Sequence, residues 1–197
     1  MLGAPTLVLM DYQNVHLTAW ESFTTYGTPV YEALINPGKF ADQAAIAWRT
    51  ATSEGLAVVK VLVYRGLPDP RKEGRLNSRV SRQNANWQRD SRVTVNTRPL
   101  RYPRDWPNEK AQEKGVDVML ALGLVRAALD GSFDRIIVAT RDTDLLPAIE
   151  MAETEQSGRI ILANWKGQST LKPRGNIPSV VLGQSEYNRS RDTTNYS

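Results

Sequence analysis

No cysteine occurs in the 197 residues, so disulfides, thiolate nucleophiles and cysteine zinc centres are excluded, and a reducing cytoplasm is the expected setting. Histidine is almost as scarce. His16 stands alone, which rules out a ribonuclease mechanism built on two imidazoles and leaves this residue a structural role or a hydrogen bond at a rim. No stretch of about 18 apolar residues occurs, and the opening Met-Leu-Gly-Ala-Pro-Thr-Leu-Val-Leu-Met has no basic leader and soon meets Asp11. Neither secretion nor a membrane span is expected.

What is present is ordinary for a globular chain, with 41% hydrophobic and 23% charged residues, enough to bury one core and with no composition break that demands two. One domain over residues 1–183 is expected, followed by a polar, loosely held tail over 184–197. The net charge of +4 permits an anionic partner without requiring one, and its distribution says more. Between Arg65 and Arg104, eleven residues are Lys or Arg and only Asp69, Glu73 and Asp90 are acidic. Within that span Arg71, Arg75, Arg79 and Arg82 are spaced to share a helical face, a surface suited to a polyanion, although arginine-rich helices are often simply solvated.

The chain is organised around Asp134 to Glu150. Ile136 to Ala139 is an apolar run too short for a buried helix and reads as a strand. It breaks at Asp142-Thr143-Asp144, after which Leu145, Leu146, Ile149 and Ala152 recur at helical spacing. Two carboxylates thus stand at a strand-to-helix turn. Asp is a favoured helix cap, which accounts for one of them. Pro147 must lie in the first turn, so Asp144 is the expected cap and Asp142 has no structural task.

Thr6 to Met10 reads as a first strand ending at Asp11-Tyr12-Gln13-Asn14, either a turn or a second acidic strand end. A loop over Thr24 to Asn36 precedes a helix capped by Asn36 and ended by Gly55, in which Phe40, Ala44, Ala47, Trp48 and Ala51 recur. Strands are expected at Leu56 to Tyr64, Val93 to Thr97, Arg159 to Ala163 and Val180 to Leu182. A helix from about Glu113 to Asp130 puts Asp117 on the stripe of Leu120, Ala121, Leu124 and Ala128, where a carboxylate is costly unless a cation compensates it.

Alternating strands and helices imply a parallel sheet covered on both faces. If the first and fourth strands are neighbours, Asp11, Asn14, Asp117, Asp142 and Asp144 converge at the carboxyl ends of the strands. Clustered carboxylates without thiols or imidazoles suit Mg²⁺ or Mn²⁺, which can promote phosphodiester hydrolysis without a side-chain nucleophile.

Three segments carry a resemblance: Asp11-Tyr12-Gln13-Asn14, Lys114-Gly115-Val116-Asp117-Val118, and Thr140-Arg141-Asp142-Thr143-Asp144-Leu145-Leu146-Pro147. In this order and on these elements they resemble NYN-domain proteins, a branch of the PIN-like nucleases, over about residues 6 to 163. The resemblance implies a PIN-like three-layer α/β/α sandwich with a mostly parallel central sheet, and metal-dependent endoribonuclease activity. It makes Asp11, Asp117, Asp142 and Asp144 residues of a site for one or two Mg²⁺ or Mn²⁺ ions, with Asn14 lining the pocket. RNA would meet Arg65, Arg71, Arg75, Arg79, Arg82, Lys114 and Arg141, and Trp87 or Tyr102 would either stack on bases or pack in the core. A homo-oligomer or a regulatory protein partner is left open.

Two positions depart from the family pattern. Arg141 replaces a glycine, either to clamp a phosphate or to neutralise Asp142, and Gly123 stands where many relatives carry Asp. These departures motivate a second expectation, an RNA-binding regulatory protein without turnover. A haloacid-dehalogenase-type phosphatase also has an Asp after its first strand, but it needs an acid two residues on, where this chain has Gln13.

Overall fold

The computed structural model describes residues 3–196. Its first strand, β1 (Ala4–Asp11), shows how the layers arise. Side chains alternate across a strand, so Leu7 and Leu9 enter one core while Val8 and Met10 enter the other. The same division runs through β4 (Arg135–Ala139) and β5 (Ile160–Trp165), with Ile136, Val138, Ile160 and Leu162 on one face and Ile137, Ala139, Ile161 and Trp165 on the opposite one. Strands buried on both faces need helices on both faces, and the chain supplies them.

Strands β2 (Leu56–Leu67), β3 (Val93–Pro99) and β6 (Ser179–Leu182) complete a sheet of order β3-β2-β1-β4-β5-β6. Every neighbouring pair is parallel, so the sheet is wholly rather than mostly parallel. One face packs α1 (Tyr12–Phe23), α2 (Pro37–Thr52) and α6 (Gln184–Ser190), with Trp87 at the end of α3 (Gly74–Trp87). The other packs α4 (Val116–Asp130) and α5 (Leu146–Glu155). The result is the expected three-layer α/β/α sandwich. Helix α2 has the anticipated start, with Asn36 Oδ1 accepting from the Lys39 N–H at 3.0 Å ahead of Pro37. It stops at Ser53, whose φ of 65° breaks the helix two residues before Gly55.

Three elements differ from the sequence reading. Helix α1 follows β1 without a loop; its apolar positions Tyr12, Val15 and Ala19 do recur at helical spacing, but among weak helix formers. Helix α4 begins at Val116, because Gly115 adopts φ 76° and leaves Glu113 outside the helix. The segment after Gly183 is packed rather than loose. Tyr187 is buried and stacks on Phe23 at 5.0 Å, and Asp192 accepts hydrogen bonds from Trp87 Nε1 at 2.6 Å and Tyr196 Oη at 2.7 Å. A few anchoring side chains outweigh a polar composition. Ser197, the end of that segment, lies outside the described residues.

Candidate functional site

Strands β1 and β4 are neighbours, with Met10 opposite Ala139, so the residues that follow them meet at one sheet edge. Asp11 Oδ1 accepts from the Asn14 N–H at 3.2 Å and so caps α1, while Oδ2 accepts from Thr140 Oγ1 at 3.2 Å. Thr140 is buried, and its Oγ1 also accepts from the Asp142 N–H at 3.1 Å. This threonine therefore ties the two strand ends together and fixes the Asp11 carboxylate. Burial, reinforced by repulsion from Glu113 and Asp142, raises the Asp11 pKa to about 6 against the two hydrogen bonds that lower it.

The strand-to-helix turn is capped in the reverse of the expected way. Asp142 Oδ1 accepts from the Asp144 N–H at 2.9 Å and caps a 3₁₀ turn over Thr143–Leu145, so Asp142 has the structural task. Asp144 is exposed and does not reach the acidic cleft. It lies on a neighbouring groove between α4 and α5, which Asp117 also lines. Arg141 neither pairs with Asp142 nor stands free. Its guanidinium donates to Ser169 O at 3.3 Å and Ser169 Oγ at 3.0 Å, and its N–H donates to Asn14 Oδ1 at 3.1 Å. The Asn14 amide is thereby oriented, leaving its nitrogen as the donor to the cleft.

That cleft, about 440 Å³, is lined by Asp11, Gln13, Asn14, Glu113, Lys114, Asp117 and Asp142 among others. Glu113 is the member that sequence reasoning missed. Its Oε1 accepts from the Gly66 N–H at 2.6 Å, and a Cβ on Gly66 would stand only 2.8 Å from Glu113 Cγ, so this approach requires glycine. Burial raises the Glu113 pKa, and the charge of Asp117 adds to the effect. The signal was available: Glu113 stands four residues before Asp117, but reading it as the first helical residue hid it. The same wall holds a cation of the basic Arg65 to Arg104 stretch, since a Cβ on Gly115 would lie 3.4 Å from Arg98 Cζ.

The ion pairs among the described residues join Arg71 to Asp69, Arg92 to Asp42 and Asp90, and Arg135 to Glu54, so none involves a cleft acid. Four carboxylates without an ion-pair partner among the described residues, two of them, Asp11 and Glu113, with the charged form disfavoured by burial, are an all-oxygen set of the kind that Mg²⁺ or Mn²⁺ takes. Among the described residues no three acids stand close enough to hold an ion as they are.

The arginines divide. Arg65 is 9% exposed, with Nη1 donating to Gln83 Oε1 and Asn84 Oδ1 at 3.2 Å each and its guanidinium 4.5 Å from the Tyr12 ring and 5.1 Å from that of Trp87. It is a core residue, which corrects its assignment to an RNA surface. Trp87 is likewise core, at 1% exposed. Arg71 precedes α3 and pairs with Asp69, so the helical stripe is Arg75, Arg79 and Arg82. Arg75 is exposed, Arg79 lies over Tyr31, and Arg82 donates to Tyr196 O at 2.8 Å. Lys114 is exposed on the cleft. Tyr102 is half-buried, with Lys72 Nζ 4.5 Å from its ring and its hydroxyl donating to Glu73 at 2.6 Å. His16 Nε2 lies 2.9 Å from Val30 O, and burial lowers its pKa to about 4.

Among the described residues no helix is long and apolar enough to cross a membrane. The model of the NYN domain matches residues 5–173. A crystal structure of a protein of unknown function from Vibrio parahaemolyticus is similar in fold, with a TM-score of 0.50 and 21% identity over 82% of this chain and 81% of that one. No match is found among curated proteins.

Proposed function

The chain belongs to the NYN-domain family, and from that membership we propose that it is an endoribonuclease that hydrolyses RNA phosphodiester bonds with Mg²⁺ or Mn²⁺ at the acidic cleft. The observation that carries the reading is the cleft itself, in which Asp11, Glu113, Asp117 and Asp142 converge beside the ends of β1 and β4 without a salt-bridge partner among the described residues. Asp11, Asp117 and Asp142, with Glu113 beside them, would hold the ion after small side-chain rotations. When bound, such an ion supplies a lower pKa for the attacking water and positive charge for the scissile phosphate.

The protein's own groups do the positioning. Thr140 holds the Asp11 carboxylate, and Arg141 holds Asn14 through a backbone N–H rather than through its charge. The Asn14 amide nitrogen is then a donor for a phosphate or ribose oxygen, and Lys114, exposed at the rim, draws the polyanion in. Ends of rigid strands give this geometry its precision.

A second reading, an RNA binder without turnover, draws on one observation: no three of the described acids stand ready to grip an ion. Incubating a mixed pool of labelled RNA with the protein and Mn²⁺, with and without EDTA, separates the two. Chelator-sensitive cleavage that falls at least 100-fold in Asp142→Asn is expected, since one bound charge is removed while Asn still caps the turn. Cleavage that survives both EDTA and the substitution overturns the proposal. Salt-sensitive retention of RNA without cleavage selects the binder.

A further inference from the structure

A second cleft, about 310 Å³, lies between the 3₁₀ turn Val30–Glu32, α3 and the segment from Arg191 to Tyr196, and shares no lining residue with the acidic cleft. Two guanidiniums line it. Arg79 lies over the Tyr31 ring, 5.6 Å from its centroid, and Arg191 donates from Nη2 to Glu32 O at 3.1 Å. Among the described residues neither is ion-paired, and Arg191 Nε has no hydrogen-bond partner. Two guanidinium charges lining one cleft without a counter-ion favour an anionic ligand.

The acids of the cleft do not fill that need. Asp192 is already engaged by Trp87 Nε1, Tyr196 Oη and the Thr194 N–H. Glu32 is exposed and offers Arg191 only its backbone oxygen. Gln83, 3% exposed, gives its amide oxygen to Arg65, which leaves its amide nitrogen as a further donor. Tyr31 is 59% exposed, and with Arg79 against one side its other side is available to a planar ring.

We propose that this cleft binds a nucleotide, its phosphate between Arg79 and Arg191 with the hydroxyl of Thr193 beside it, and its base against Tyr31. A volume of about 310 Å³ is at the small end of ligand sites and suits one nucleotide. The chemistry is the same for a free mononucleotide and for one nucleotide of an RNA strand. Binding here does not depend on cleavage, because a mononucleotide has no internucleotide bond to break.

The test is calorimetric titration of the full chain in EDTA with AMP, UMP, adenosine, inorganic phosphate and a 5′-phosphorylated RNA tetramer, for wild type, Arg79→Gln and Arg191→Gln. AMP and UMP are expected to bind more tightly than adenosine or phosphate, and each substitution to weaken them about tenfold or more, the loss of a charge-assisted contact. If only the tetramer binds and is weakened by Arg79→Gln, the site takes a nucleotide within a strand. Should Arg191→Gln loosen the C-terminal segment, Arg79→Gln on the flank of α3 decides alone. Binding of every probe that is absent, or unchanged by Arg79→Gln in a folded protein, overturns the proposal.

Discussion

The Tyr64 hydroxyl occupies the space that a Cβ on Gly123 would need, with the ring carbon Cζ 3.1 Å from that point. Helix α4 can lie against β2 only because residue 123 has no side chain. Gly123 is also six residues beyond Asp117, about 9 Å along the helix axis, so an acid there would press on the Tyr64 phenol rather than join the acidic cleft. The departure from relatives that carry Asp at this position is thus a packing arrangement. Gly123→Ala is expected to destabilise the fold by about 1–3 kcal/mol through overpacking. Adding Tyr64→Phe should return part of that loss, with Tyr64→Phe alone near neutral. Urea unfolding of the four proteins measures the coupling, and strictly additive effects would refute the contact.

Asp11 is strained electrostatically in the metal-free protein, half-buried and facing Glu113 and Asp142 without a cation. Asp11→Asn removes that repulsion. It keeps an oxygen for the Asn14 N–H, and Thr140 Oγ1 can turn to accept from the new amide. The variant is expected to lose cleavage and to gain about 1–2 kcal/mol of stability in EDTA, the sign opposite to that of a structural residue. Thermal unfolding in EDTA checks it, and a destabilised variant would show that Asp11 serves the fold before the cleft.

His16 predicts an acid limit to stability. Its pKa is lowered to about 4 by burial, reinforced by the Arg65 charge and opposed by the Val30 hydrogen bond, while an unfolded imidazole titrates near ~6.5. Below ~6.5 the unfolded chain takes up the proton first. The stabilisation is therefore complete above that pH and is lost as pH falls toward about 4. His16→Gln retains a donor near the position of Nε2 for Val30 O but cannot titrate. Relative to wild type it should gain about 2 kcal/mol between pH 7 and pH 5. Since His16 is the one histidine, the difference between the two urea-derived stability profiles isolates it, and parallel profiles would show that the ring is not held neutral.

How legible the site was depends on which physical force places each residue. Asp11 and Asp142 were readable because strand ends and apolar runs are local patterns, and the adjacency of β1 and β4 follows from the doubly wound topology. Glu113 was not, because the left-handed backbone at Gly115 shifts the start of α4 by three residues, a choice that periodicity does not record. The tasks of Asp142 and Asp144 were exchanged because a 3₁₀ turn precedes α5, so that Pro147 fits the first turn with either acid as cap. The C-terminal segment reads as polar, yet Asp192 is the acceptor that the buried Trp87 indole requires. Such long-range pairing leaves no trace in composition.

Arg65 and Arg75 belong to one basic stretch of sequence and are expected to answer substitution in opposite ways. Arg65 lays its guanidinium against both the Tyr12 and Trp87 rings, themselves 4.6 Å apart, while Nη1 serves two amide oxygens, and the flat contact with the rings is a task for a planar guanidinium rather than an ammonium. Arg65→Lys should cost about 2 kcal/mol or more, with the Gln83 and Asn84 oxygens left poorly satisfied, while RNA retention well below the unfolding temperature stays the same. Arg75 is exposed on α3, so Arg75→Gln should leave stability within about 0.5 kcal/mol. It should weaken RNA retention severalfold at low salt and flatten the salt dependence, as removal of one phosphate contact does. Denaturant unfolding and filter retention at two salt concentrations measure both variants. A stable Arg65→Lys protein with impaired RNA binding would return Arg65 to the surface that its neighbours in sequence suggested.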